Sequence, residues 1–151
     1  MDEDTLQHAL KKAEALCAAR GARLTRQRRK ILELVCRADR PIGAYELLAQ
    51  LGEGTRAAPP TVYRALDFLL EQRLVHKIET LHAFVGCTHP EHPHACQFLI
   101  CHDCGRVEEA ESTAVAGSLR SLAEGIGFHP RRSVVEVIGT CSRCATFSSL
   151  A

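Results

Sequence analysis

Tryptophan is absent from the 151 residues, methionine occurs once, and aromatic side chains make up only 5%. A core must therefore be built from Leu, Ile, Val and Ala, which the 46% hydrophobic content supplies. The length allows one ordinary domain or two small ones. No apolar run approaches the ~18 residues of a membrane span. The acidic opening Met1-Asp2-Glu3-Asp4 lacks the basic start and apolar stretch of a secretory leader. The expectation is a soluble, cytoplasmic chain with no membrane partner. Repeats and low-complexity segments are missing too. So are two zinc-enzyme signatures: no H-E-x-x-H occurs, and Cys101-x-x-Cys104 follows Leu99-Ile100 rather than the Pro of the zinc deaminases. These absences argue against an enzyme.

Charge is scarce as a net quantity and uneven in its placement. The formal net charge is +1, but residues 1–85 carry 14 Lys/Arg against 11 Asp/Glu, and residues 86–151 carry 5 against 7. Eight basic residues crowd positions 20–40 (Arg20, Arg23, Arg26, Arg28, Arg29, Lys30, Arg37 and Arg40), opposed by Glu33 and Asp39. Such a concentration suits a polyanion, or else a solvated helix face.

The first half reads as helices. Leu6, Ala9, Leu10, Ala13, Leu16 and Cys17 recur at helical spacing over about 4–20, with Gly21 as a natural stop. Cys17 is expected as a small core residue. Thr25 can cap a second helix over about 26–38, in which Ile31, Leu32, Leu34 and Val35 face inward. Arg26, Arg28, Arg29 and Lys30 crowd its first turns, where cations oppose the helix dipole; phosphates would relieve that misfit. A third helix spans about 43–52 with Tyr45, Leu47, Leu48 and Leu51, ended by Gly52 and Gly54. Pro60 starts a fourth. There Val62, Ala65, Leu66, Leu69 and Leu70 share one face, and Thr61, Tyr63 and Arg64 are presented near its N-terminus. Strands near 74–78 and 82–86 around Glu79-Thr80-Leu81 then form a hairpin. Helices followed by a hairpin describe a winged helix-turn-helix, whose recognition helix enters the major groove, where Arg64 can pair with guanine.

The second half differs. Strands are expected at 97–100, 106–109 and 133–138, with a helix from Ser112 to about Gly125 that turns Val115, Leu119 and Leu122 inward. The expected fold class is α+β: a winged-helix domain over 1–83 and a small α/β domain over 84–151. Six of the eight cysteines fall after residue 81, and in a reducing compartment they indicate metal rather than disulfides.

Cys101-x-x-Cys104 and Cys141-x-x-Cys144 can place four thiolates around one zinc ion, closing every coordination position. The 36 residues between the pairs match a strand, a helix and a strand. Such a site is structural, and metal binding is then coupled to folding. Four further ligands, His76, Cys87, His94 and Glu109, suit a second tetrahedral zinc and span the domain boundary. His89, His92 and Cys96 stay open as replacements, with the two histidines expected in an exposed loop and Cys96 in the core.

Arg23-Leu24-Thr25-Arg26-Gln27-Arg28, Pro59-Pro60-Thr61-Val62-Tyr63-Arg64-Ala65-Leu66 and the two CxxC pairs, in this order, resemble the ferric uptake regulator family. Pro60 to Glu71 followed by Val75-His76-Lys77 is most similar to its zinc-responsive branch. The resemblance implies a dimeric transcription regulator with a C-terminal dimerisation domain, in which bound metal favours binding to double-stranded operator DNA and represses uptake genes. It implies two zinc ions per chain: a structural one on Cys101, Cys104, Cys141 and Cys144, and a regulatory one on His76, Cys87, His94 and Glu109. Tyr45, Tyr63 and Arg64 match residues placed at DNA, with Thr61, Arg23, Arg26 and Arg28 expected beside them. The alternatives are a family member sensing iron, nickel, manganese or peroxide, and a zinc-dependent enzyme. A further site that some relatives build with a histidine has no counterpart where this chain reads Arg131-Arg132-Ser133.

Overall fold

The computed structural model describes residues 2–52 and 58–148. Helix α1 (Glu3–Ala19) is opened by Asp2, whose carboxylate accepts the Thr5 N–H at 2.8 Å and satisfies one of the amides that a helix start leaves unpaired. Leu6, Leu10, Ala13 and Cys17 form its buried stripe, so Cys17 is the core residue expected. Gly21 turns the chain out of the helix at a φ of 69°, a conformation that a side chain would strain. In α2 (Arg26–Arg37) the Thr25 hydroxyl accepts the Arg28 N–H at 3.4 Å, and Ile31, Leu32 and Val35 are buried. Helix α3 (Ala44–Gln50) buries Ala44 and Leu47; Gly54, expected to help end it, lies outside the described residues. Helix α4 (Pro59–Glu71) begins on two prolines, which lack the N–H groups that would be unpaired there, and buries Val62, Ala65, Leu66 and Leu69.

Strands β1 (Val75–Ile78) and β2 (Ala83–Gly86) pair antiparallel, His76 opposite Val85. Phe84 exchanges backbone hydrogen bonds of 2.9 and 3.0 Å with Ile42, which fastens the hairpin ahead of α3. The core between these helices and the hairpin is almost wholly Leu, Ile, Val and Ala. Each fully buried Leu or Ile contributes ~1.5–3 kcal/mol relative to exposure. This is the winged helix-turn-helix expected from the sequence.

The chain forms two compact units, Met1–Pro93 and His94–Ala151. The expected junction near residue 84 falls within β2. The ladder keeps both strands in the first unit, and Cys87 extends the pairing by donating its N–H to the Leu74 carbonyl at 3.0 Å.

In the second unit, β3 (Cys96–Cys101) lies between antiparallel β4 (Val107–Glu111) and parallel β5 (Glu136–Gly139). The parallel pairing demands a crossover, and α5 (Thr113–Gly125) supplies it, capped by Ser112, which accepts the Val115 N–H at 3.3 Å. A short helix, α6 (Ser142–Ser148), follows. Three expectations change here. The last strand starts at Glu136 rather than Ser133. Helix α6 has no counterpart among the expected elements. Val115, Leu119 and Leu122 are exposed rather than inward. Among the described residues no helix is long and apolar enough to cross a membrane.

Candidate metal centres and nucleic-acid interface

Two turns of backbone build the thiol cluster. Cys101 closes β3 opposite Gly139 of β5. The chain then folds back tightly: the Gly105 N–H donates to the Cys101 carbonyl at 2.9 Å with Gly105 at a φ of 71°. This brings Cys104 round beside Cys101. Cys141 follows β5 by two residues, and Cys144 stands in the first turn of α6. The four Sγ atoms lie within 4.8 Å of one another, with Cys104 and Cys141 3.8 Å apart. Thiolates at ~2.3 Å from a tetrahedral zinc are spaced by about 3.8 Å, so the donor set fits that ion. The Cys141 N–H donates to the Cys101 sulfur at 3.3 Å. That amide, joined by the one from Cys104, draws the Cys101 thiol down to about 6. Crowding by Cys141 and burial push Cys144 up to about 12. Thiols packed this closely cannot all ionise alone; a dication removes the conflict.

The four remaining predicted ligands occur as one pair in each unit. In the first, His76 lies on β1 and Cys87 directly after β2, each offering a ligand atom within 4.8 Å of the other's. In the second, Glu109 on β4 stands opposite Phe98 on β3, and its Oε1 lies 2.7 Å from His94 Nε2. Both side chains of this pair are nearly covered, 2% and 8% exposed. Cys96, expected in the core, is half-buried instead, and its thiol donates to the same Glu109 oxygen at 3.3 Å. No sequence signal points to that contact, because it depends on the β3–β4 register. His89 and His92 fall in the exposed loop, as expected, with their rings stacked 6.1 Å apart.

The residues expected at nucleic acid all lie in the first unit. The N-terminal turn of α4 holds no acidic residue. Tyr63 and Arg64 are exposed there and Thr61 is half-buried. Tyr45 on α3 is 71% exposed, unusual for a large aromatic side chain. The basic cluster is less available than its sequence implies. Arg29 donates to Gln7, Lys30 pairs with Glu33, Arg37 with Glu3 and Glu33, and Arg40 with Glu46. Arg28, expected at DNA, is half-buried with its guanidinium 3.7 Å from the centre of the Phe68 ring and donates to the Arg23 carbonyl at 2.8 Å. Arg23 and Arg26 remain exposed, with no acidic partner among the described residues.

Residues 19–138 match the ferric uptake regulator family. The chain belongs to that family. Its zinc uptake regulation protein from Escherichia coli K12 is 44% identical over 146 residues, covering 95% of this chain and 85% of that one. The zinc uptake regulation protein of Mycobacterium tuberculosis is 33% identical over 134 residues, covering 84% and 98%. Among solved structures, a zinc uptake regulator complexed with zinc and DNA superposes with a TM-score of 0.92 at 43% identity, covering 96% of this chain and 98% of that one. Ferric uptake regulation proteins reach 26–28%, so within the family the chain groups with the zinc uptake regulators. The family consists of transcription regulators, not enzymes.

Proposed function

We propose that this family member is a zinc-responsive repressor of zinc-uptake genes, acting in the cytoplasm as a homodimer on double-stranded operator DNA. The observation that carries this reading is the division of its donors. Cys101, Cys104, Cys141 and Cys144 form a closed thiol set with nothing left for a signal to change. His76 with Cys87 in the first unit, and His94 with Glu109 in the second, are two further donor pairs, which we assign to a separate regulatory ion. Each chain then holds two zinc ions, one structural and one regulatory. A thiolate with two imidazoles and a carboxylate is softer than the oxygen-rich sets that suit magnesium or manganese, which favours zinc. The solved relative that carries both zinc and DNA supports the same reading.

The regulatory ion would supply a positive charge that four donors share. The chain's part is to hold those donors where sharing them favours the operator-binding conformation. DNA affinity then rises only by the ion's differential affinity for that conformation. Arg64, Tyr63 and Thr61 on α4 and Tyr45 on α3 face the bases and sugar-phosphate edge, with Arg23 and Arg26 on phosphates. The dimer is supported by the apolar side chains that the second unit leaves exposed, among them Leu99, Leu122, Ile126, Phe128, Val137 and Ile138, and by the open edge of β5.

Cys87→Ser tests this. Native mass spectrometry should count one zinc per chain in place of two on a folded dimer. Binding to palindromic operator DNA should no longer tighten as free zinc rises. A variant that keeps the wild-type zinc dependence overturns the proposal.

A further inference from the structure

We infer that Arg20 is the positioning residue of the sensing site, a fork that ties the loop leading from Cys87 to His94 to the end of α4. The inference rests on the functional reading above for what that loop carries. Its geometry lies within the first unit.

Arg20 belongs by position to the basic cluster, yet it does not face outward. It is the C-terminal cap of α1 and is half-buried. One terminal nitrogen donates to the Gln72 carbonyl, and the other donates to the Pro90 carbonyl at 2.5 Å. No carboxylate takes part among the described residues. Both acceptors have a reason to want a cation. Gln72 is the C-terminal cap of α4, where the last carbonyls lack helical partners and the dipole leaves partial negative charge. Helix α4 has no basic residue in its own last turn, so Arg20 supplies that charge from α1. Pro90 lies midway along the loop between the two ligands. One residue on, Glu91 accepts Lys12 of α1 at 2.8 Å. Helix α1 therefore grips the loop at two successive residues.

Only arginine presents two terminal N–H groups in a fixed plane and can hold two carbonyls at once. The loop is thereby tied to the same helix that carries Tyr63 and Arg64 at its other end. The loop beyond Cys87 is held in place before metal arrives, so binding does not have to order it. Groups hydrogen-bonded to the ligands themselves typically change metal affinity about 10–100-fold when removed; Arg20 acts one step further out, through the loop backbone, so the lower end of that range is expected.

The test uses full-length protein, with Arg20→Ala and Arg20→Lys. Zinc is titrated alone against a fluorescent chelator, and amide hydrogen exchange is followed across the chain. Both variants should keep the zinc of the four-cysteine site. The second zinc should weaken about 10-fold in Arg20→Ala and less in Arg20→Lys. Exchange over residues 88–93 should rise while α2 stays protected, which a general loss of stability would not produce. If folded Arg20→Ala binds its second zinc as the wild type does, or its loop exchange is unchanged, the inference falls. If Arg20→Ala does not fold, unchanged second-zinc affinity in Arg20→Lys overturns it instead. A wild-type chain that takes only one zinc would overturn the functional reading, and the exchange comparison would still decide whether Arg20 orders the loop.

Discussion

At the scale of single residues, the protein directs its charges mostly at itself. Glu91 is a clear case. Its hydrogen bond to Lys12 holds its carboxyl at about 2, below the ordinary 4.5. A depressed carboxyl contributes stability that is complete above about pH 4.5 and is lost as pH falls from there toward 2. Glu91 is exposed, so the effect on global stability is small. Its site-specific midpoint is still measurable. Carbon-13 NMR should find Glu91 titrating near 2 in the wild type, and Lys12→Ala should return it toward 4.5; an unmoved midpoint would mean the pair does not persist in solution. What was legible at this scale follows from distance along the chain. Cys101 and Cys104 announce themselves because three residues and one tight turn suffice to join them. Arg20 does not, because its acceptors lie 52 and 70 residues away, and a lone arginine among seven other basic residues looks like one more phosphate contact. The Arg28 contact is hidden for the same reason: only the packing of α2 on α4 puts Phe68 under it.

At the scale of elements, periodicity revealed the helices of the first unit because their stripes are buried within it. Caps were equally readable. Thr25 heads a helix whose first turn has no acidic residue, so its hydroxyl is the principal local help against three nearby arginines. Thr25→Ala should cost about 0.5–2 kcal/mol, seen as a lower urea midpoint with an unchanged slope. A cost near zero would mean water serves that amide as well. In the second unit the same method found α5 and then placed its apolar stripe inward. Periodicity reports that a stripe exists and not what covers it. Leu122 is 67% exposed: among the described residues no other element of its own unit covers it. Helix α6 escaped notice because seven residues with three Ser or Thr carry no apolar period. Its position is set by Cys144, which it carries, and by Cys141 just before it.

At the scale of the whole molecule, the two units differ in how they are held. Twenty buried apolar side chains are described in the first and only four, Phe98, Ile100, Cys101 and Ala123, in the second. So small a core seldom supports a fold without a disulfide, a metal or a partner. Exhaustive chelation should therefore unfold residues 94–151 while the helices of the first unit persist. Circular dichroism with hydrogen exchange resolves the two, and restoring zinc should restore the lost protection. A second unit that stays protected without metal would show that the apolar core or the dimer suffices.

The pairing of β3 with β5 has a last consequence. Cys101 lies beside Gly139, and Cys141 comes two residues later. The ladder fixes that offset, while the crossover through α5 is fixed only in where it begins and ends. Evolution is therefore free to insert or delete residues between the two CxxC pairs, and has almost no freedom between the last strand and the second pair. Relatives with longer or shorter crossovers should be found by the short strand-to-cysteine offset and missed by any pattern that prescribes the whole gap.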